Sequence, residues 1–151
     1  MRLSLQAQYA ICGMFDLAYA GGSAPVQVRV IGERQRIPER FLEQIFQRLR
    51  KAELVRGKRG PGGGYVLARP AAEITLRDIL EAVEGPLADG IAQGPPPHER
   101  RSPHRPNFLW RELCARIEEV FEARTLADLC QRAAKSGVKR PDADGAPEYH
   151  I

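Results

Sequence analysis

The stretch Phe41-Leu42-Glu43-Gln44-Ile45-Phe46-Gln47-Arg48-Leu49-Arg50-Lys51, followed closely by Leu54-Val55-Arg56-Gly57-Lys58-Arg59-Gly60-Pro61-Gly62-Gly63-Gly64-Tyr65, decides the fold. In the first run Phe41, Leu42, Ile45, Phe46, Leu49 and then Ala52 recur at helical spacing, so a helix over 38–52 carries one apolar stripe. Glu39, Arg40, Glu43, Gln44, Gln47, Arg48 and Lys51 fall on the remaining surface, and Pro38 suits the first helical position. In the second run short apolar segments flank Gly60-Pro61-Gly62-Gly63-Gly64, which no regular element survives. That pattern predicts a hairpin with a glycine-rich tip, its return strand Tyr65–Ala68 closed by Pro70.

Upstream, Ser4 is placed to cap a helix over 4–20, with Leu3, Ala7, Ala10, Met14 and Leu17 inward and Gly21-Gly22 ending it. Residues 26–35 are contradictory. The order of elements asks for a short helix, whereas Val26, Val28, Val30 and Ile31 are β-branched and Gly32 interrupts. Downstream, Thr75 and Asp78 are spaced as a near capping box, and Leu76, Ile79, Leu80 and Val83 form a buried face that ends at Gly85-Pro86. Residues 86–106 hold six of the twelve prolines and read as a long loop. A second strong helix runs from Asn107 to about Arg124, with Leu109, Trp110, Leu113, Ile117, Val120 and Phe121 on one side, and Thr125 caps a short helix after it. From Ser136 the composition predicts a disordered tail.

Helix, short helix, amphipathic helix, hairpin, helix is the winged helix-turn-helix order. The expected fold is therefore mostly α with a small β-hairpin wing. A winged helix-turn-helix domain spans 1–85, a Pro-rich loop 86–106, a long dimerisation helix with a short terminal helix 107–135, and a tail 136–151.

Charge supports that order. Arg29–Arg59 holds ten Lys/Arg against four Glu, an excess of six, and since the whole chain carries +4 the remainder sums to −2. Such focusing is the footprint of a polyanion-binding surface, although a solvated basic face has the same composition. Arg40, Glu43, Gln44 and Arg48 are side chains of the kinds that read base edges, and Arg56, Lys58 and Arg59 beside Gly60, Gly62 and Gly63 can approach phosphates or enter a minor groove. A nucleotide-phosphate loop is excluded at Gly60–Gly64, because no Lys-Ser/Thr follows and a strand comes next. No nucleophile–base pair or zinc-protease motif is present, so an enzyme is not expected. A winged-helix protein-interaction module that no longer reads DNA is the alternative, and it would have no need of the wing arginines. Cys12, Cys114 and Cys130 are odd in number and far apart, which fits a reducing compartment better than a disulfide framework. With no signal-peptide core and no apolar run of about 20 residues, a cytoplasmic protein is expected.

The two quoted stretches, with Tyr9-Ala10, Asp16-Leu17-Ala18, Ile74-Thr75-Leu76 and Leu109-Trp110-Arg111, resemble one family over roughly residues 1–130. It is that of the bacterial iron–sulfur cluster regulator IscR and the nitric-oxide-responsive repressor NsrR. The resemblance implies a transcriptional regulator that binds double-stranded DNA as a homodimer on a pseudo-palindrome, with the helix from Asn107 crossing to the partner. It implies base reading from Glu43 and Gln44, with Arg59 in the minor groove. Where relatives often start this helix with small hydroxyl residues, this chain has Pro38 and Arg40. It also implies a 2Fe-2S cluster on three loop cysteines, but in the family's register those positions fall on Ala92, His98 and His104, and a fourth falls on Asn107. The usual cluster site is absent. Cys12 with His98 and His104 is the remaining conceivable metal set, against the plainer reading of Cys12 as a small buried residue.

Overall fold

Ser4 opens the first helix by accepting the amide of Ala7 at 3.0 Å, and its hydroxyl also donates to the Glu84 carboxylate. In the computed structural model, which describes residues 3–20, 23–87, 98 and 102–141, this helix is α1 (Leu5–Tyr19). Then come α2 (Val28–Gln35), α3 (Glu39–Lys51), β1 (Val55–Lys58), β2 (Gly64–Leu67), a 3-10 turn at Ala71–Glu73, α4 (Leu76–Glu84), α5 (Asn107–Glu122) and α6 (Leu126–Lys135). The fold is mostly helical with a two-stranded antiparallel wing, as its element order predicts. The register pairs Val55 with Leu67 and Lys58 with Gly64.

One core joins these pieces. Ala10, Met14 and Leu17 of α1 meet Ile31 of α2, Leu42, Ile45, Phe46 and Leu49 of α3, Ile79 and Val83 of α4, and Leu126 of α6. The stripe expected on α3 is buried except at its margins, where Phe41 is 41% exposed and Ala52 lies open. Pro38 is the N-cap of α3 and not its first helical residue.

The contradictory segment is a helix. Tertiary contacts override its β-branched residues: Ile31 is wholly buried, and Arg34 and Gln35 grip the buried Asp16 of α1. Gly32 is required there, since a Cβ would stand 2.8 Å from the carbonyl oxygen of Ile37 in the tight link to α3. Arg36 makes that link in the left-handed region, with φ of 55°. Val26, just before α2, is drawn into the wing as a third partner, exchanging both backbone bonds with Tyr65 at 2.8 and 2.9 Å. Only glycine fits at Gly64, where φ is 145° and a Cβ would lie 2.4 Å from the Val26 oxygen.

Both Thr-x-x-Asp sites form complete capping boxes, Thr75 with Asp78 and Thr125 with Asp128. The two boxes stand side by side: Leu76 donates to Arg124 and Leu126 to Ile74, at 2.9 and 2.8 Å. Hence α6 belongs to the helical head, with Leu126 in its core, and is not an appendage of α5. Arg77 docks α5 on α4, reaching Glu122 at 2.8 Å, Glu81 at 3.2 Å and Glu118 at 3.8 Å.

The expected disordered tail starts too early. Residues 136–141 return over α1, with the Tyr19 hydroxyl donating to the Val138 oxygen at 2.8 Å and the Arg140 guanidinium 5.2 Å from the Tyr19 ring centre. Residues 142–151, Gly21-Gly22 and most of the 86–106 loop, Ala92 included, lie outside the described residues.

Candidate nucleic-acid interface

The outward face of α3 is built by elimination. Four buried positions, Leu42, Ile45, Phe46 and Leu49, fix its inner side, and at about 100° per residue Arg40, Glu43, Gln44, Gln47 and Lys51 must face away. All five are exposed. The helix is held from both ends of the head: Phe46 packs against Tyr65 of the wing with ring centres 5.0 Å apart, and Phe41 lies 6.2 Å from Tyr9 of α1. The Arg40 guanidinium sits 4.9 Å above the Phe41 ring, so its stem and charge are ordered beside the helix start.

Arg48 departs from the sequence expectation. It is solvent-exposed, but its Nη1 donates to the carbonyl oxygen of Val83 at 2.9 Å, turning the guanidinium toward α4 and away from the front of α3. Between it and α1 runs a groove of about 310 Å³ lined by Leu5, Gln6, Tyr9, Phe41, Gln44 and Arg48.

The wing projects beside α3. Arg56 and Lys58 are two apart on β1 and share its exposed face, while Val55 is buried on the other. The tip is closed by Gly63 donating to the Gly60 oxygen at 2.9 Å, with Gly60 and Gly62 both at positive φ and Arg59 exposed at its base. Among the described residues Arg56, Lys58 and Arg59 make no ion pair. Unpaired cations on a projecting hairpin next to an exposed polar helix face form a surface for a polyanion.

The second expected constellation is not brought together. Among the described residues no three His, Cys, Asp or Glu side chains are grouped to hold a metal ion. Cys12 is half-buried on α1 and burial raises its thiol pKa, the opposite of what a thiolate ligand needs. Cys130 is raised likewise by burial, and Cys114 is buried on α5. His98 and His104 are exposed. One protonated thiol and two imidazoles do not supply the four thiolates, or two thiolates and two imidazoles, of a 2Fe-2S centre. The donor set therefore does not fit the cluster.

Sequence reasoning missed the residues that set the angle between α1 and α2. Asp16 is fully buried and takes both Arg34 Nε contacts at 3.2 Å and Gln35 Nε2 at 3.0 Å. An acid amid apolar helix positions was the available signal, since such a charge needs partners.

A helical head presenting an exposed polar helix beside a cationic hairpin is the arrangement of a winged-helix DNA-binding transcriptional regulator. The chain belongs to the Rrf2 family, described as iron-dependent transcriptional regulators, whose model matches residues 3–132. It is 36% identical to the HTH-type transcriptional regulator IscR of Sodalis glossinidius, over 100% of this chain and 96% of that one. Among solved structures, IscR of T. potens superposes with a TM-score of 0.73 at 33% identity, covering 93% of this chain and 94% of that one. CymR, the global cysteine regulator of B. subtilis, does so with 0.71 at 31% identity, covering 87% and 98%. No helix among the described residues is long and apolar enough to cross a membrane.

Proposed function

We propose that this regulator acts in the cytoplasm as a homodimer on a pseudo-palindromic operator, with α3 of each subunit in a major groove and each wing tip in the flanking minor groove. The carrying observation is that Arg40, Glu43 and Gln44 are exposed on α3, while Arg56, Lys58 and Arg59, exposed and without ion pairs among the described residues, stand on the hairpin that packs on α3 through Tyr65 and Phe46. Glu43 and Gln44 supply base-edge acceptors and donors, and Arg59 beside the open Gly60–Gly63 turn supplies the minor-groove cation. An interaction module without DNA reading has no use for those unpaired cations.

Dimerisation falls to α5. Trp110, Leu113 and Val120 are 41, 41 and 64% exposed on one subunit and lie within about 80° of one another around α5. A second copy of α5 covers such a face with matching chemistry.

The test is operator selection from a random duplex pool, followed by binding titrations against salt. The expected result is an inverted repeat, a steep salt dependence, weaker binding by Arg59→Ala, and a base preference relaxed at one position per half-site by Glu43→Ala. Recovery of no inverted repeat, or variants that bind as the parent does, overturns the docking.

A further inference from the structure

Around α3, Arg48 and Arg50 stand on opposite edges of the outward face. The Arg48 edge turns to α1 and α4, whereas the Arg50 edge turns to the wing. There Arg50, Arg56 and Arg69 line one open groove of about 650 Å³, whose floor includes Gly57 and Ala68 and whose rim carries a single acid, Glu53. Among the described residues Arg50 and Arg56 make no ion pair. Arg69 reaches Asp78 only at 3.7 Å, and Asp78 is already engaged in the Thr75 capping box. The helix dipole accounts for cations in the last turn of α3, such as Arg50 and Lys51. It does not account for Arg56 and Arg69, which come from the hairpin and converge on the same space.

We infer that the Arg50–Arg56–Arg69 groove holds backbone phosphates of the DNA strand that runs between the major-groove stretch under α3 and the minor-groove stretch under the wing tip. This rests on the docking proposed above. Two elements in adjacent grooves of a duplex have one sugar-phosphate ridge between them. The groove lies between the C-terminal end of α3 and the base of the hairpin that carries the wing tip, and three guanidiniums against one carboxylate give it the sign that ridge requires. Guanidinium takes a phosphate through two parallel N–H donors. Contacts of this kind set register and affinity and carry no base information.

The experiment compares parent, Arg50→Ala/Arg69→Ala and Arg50→Lys/Arg69→Lys proteins on the selected operator, with phosphate-ethylation interference run alongside. The alanine pair is expected to bind roughly 10-fold or more weakly at 0.15 M salt, with log K against log salt flattened by about 0.9 for each phosphate no longer neutralised. Its base preference is expected to match the parent's. Ethylation of the ridge between the two grooves should block the parent and not the alanine pair. The lysine pair, which keeps the charge but not the two-pronged donor, should keep the parent's salt slope and recover part of its affinity, and this separates weakened phosphate binding from loss of fold. Parent binding indifferent to ethylation there, or an unchanged salt slope in the alanine pair, overturns the assignment. Arg59→Ala separates the two levels. If it weakens binding while the alanine pair does not, only the groove assignment fails; if neither does, the docking itself fails.

Discussion

Arg48 of α3 donates through Nη1 to the carbonyl oxygen of Val83, 2.9 Å away in the last turn of α4. The last carbonyls of a helix have no partner within it, so this guanidinium closes one of them and ties α3 to α4. Arg48→Met keeps the stem and removes the donor. We expect a loss of about 1–2 kcal/mol in stability, read by urea unfolding. DNA affinity should fall with it, since the angle of α3 is no longer held. An unchanged urea midpoint would show that the bond holds nothing.

A fully buried carboxylate ties α1 to α2. Asp16 is gripped by Arg34 and Gln35, and Arg34 itself is only 24% exposed. Arg34→Met leaves the charge buried with one amide donor. The expected cost is about 3 kcal/mol, since removing one partner of a buried pair strands the other. Chemical denaturation of the variant beside Asp16→Asn/Arg34→Met, which removes the stranded charge, checks this: the double variant should recover some of the stability.

Gly64→Ala should disable the wing. Its Cβ would collide with the Val26 oxygen at a φ of 145°, so the Val26–Tyr65 bridge must open. Overpacking and strain of this kind cost about 1–3 kcal/mol. The amide of Tyr65, now closed by Val26, should exchange with solvent faster in the variant, and operator binding should drop. A protected Tyr65 amide in a folded variant would contradict this.

Cys12 carries a raised thiol pKa, caused by burial. A folded pKa above the unfolded one stabilises the fold below the usual thiol range, and that contribution is lost as pH rises through the folded value. At pH 8 Cys12 should therefore alkylate more slowly in the folded protein than in urea. Protein purified without oxygen and offered iron and sulfide should show no 2Fe-2S charge-transfer bands and should still bind DNA. Bands lost in a His98/His104 double variant would refute this.

Charge on the exposed face of α5 should prevent pairing. Val120 is 64% exposed in one subunit, so Val120→Glu should leave the monomer fold intact. Sedimentation is expected to show monomers, with operator affinity reduced because the two half-sites are no longer bound together. A dimeric Val120→Glu protein would place the interface elsewhere.

Helix α3 and the wing were legible because their signals are local: a 3.6-residue apolar period and a run of glycines. The second helix was not. Its residues favour strand, and what makes them helical is Ile31 in the core and Asp16 twelve residues before Val28. The role of Arg48 was equally hidden, since its partner Val83 lies 35 residues away. Spacing put Arg48 on the polar side of the helix, and only packing decides which neighbour it meets there. Residues 136–141 were misread because composition shows polarity and not the hydroxyl of Tyr19 waiting on another helix.

The side-by-side capping boxes at Thr75 and Thr125 have an evolutionary consequence. Two backbone bonds bring the start of α4 and the start of α6 to one point, so the chain that leaves along α4 and passes through residues 86–106 and α5 returns to where it left. Changing the length of such an excursion costs only about 0.6 kcal/mol per doubling. Residues 86–106 can therefore change in length and content, cluster ligands included, while α4 keeps its place in the core. In that sense the chain is a reader with an interchangeable cartridge, and lineages can refit the cartridge without relearning how to hold DNA.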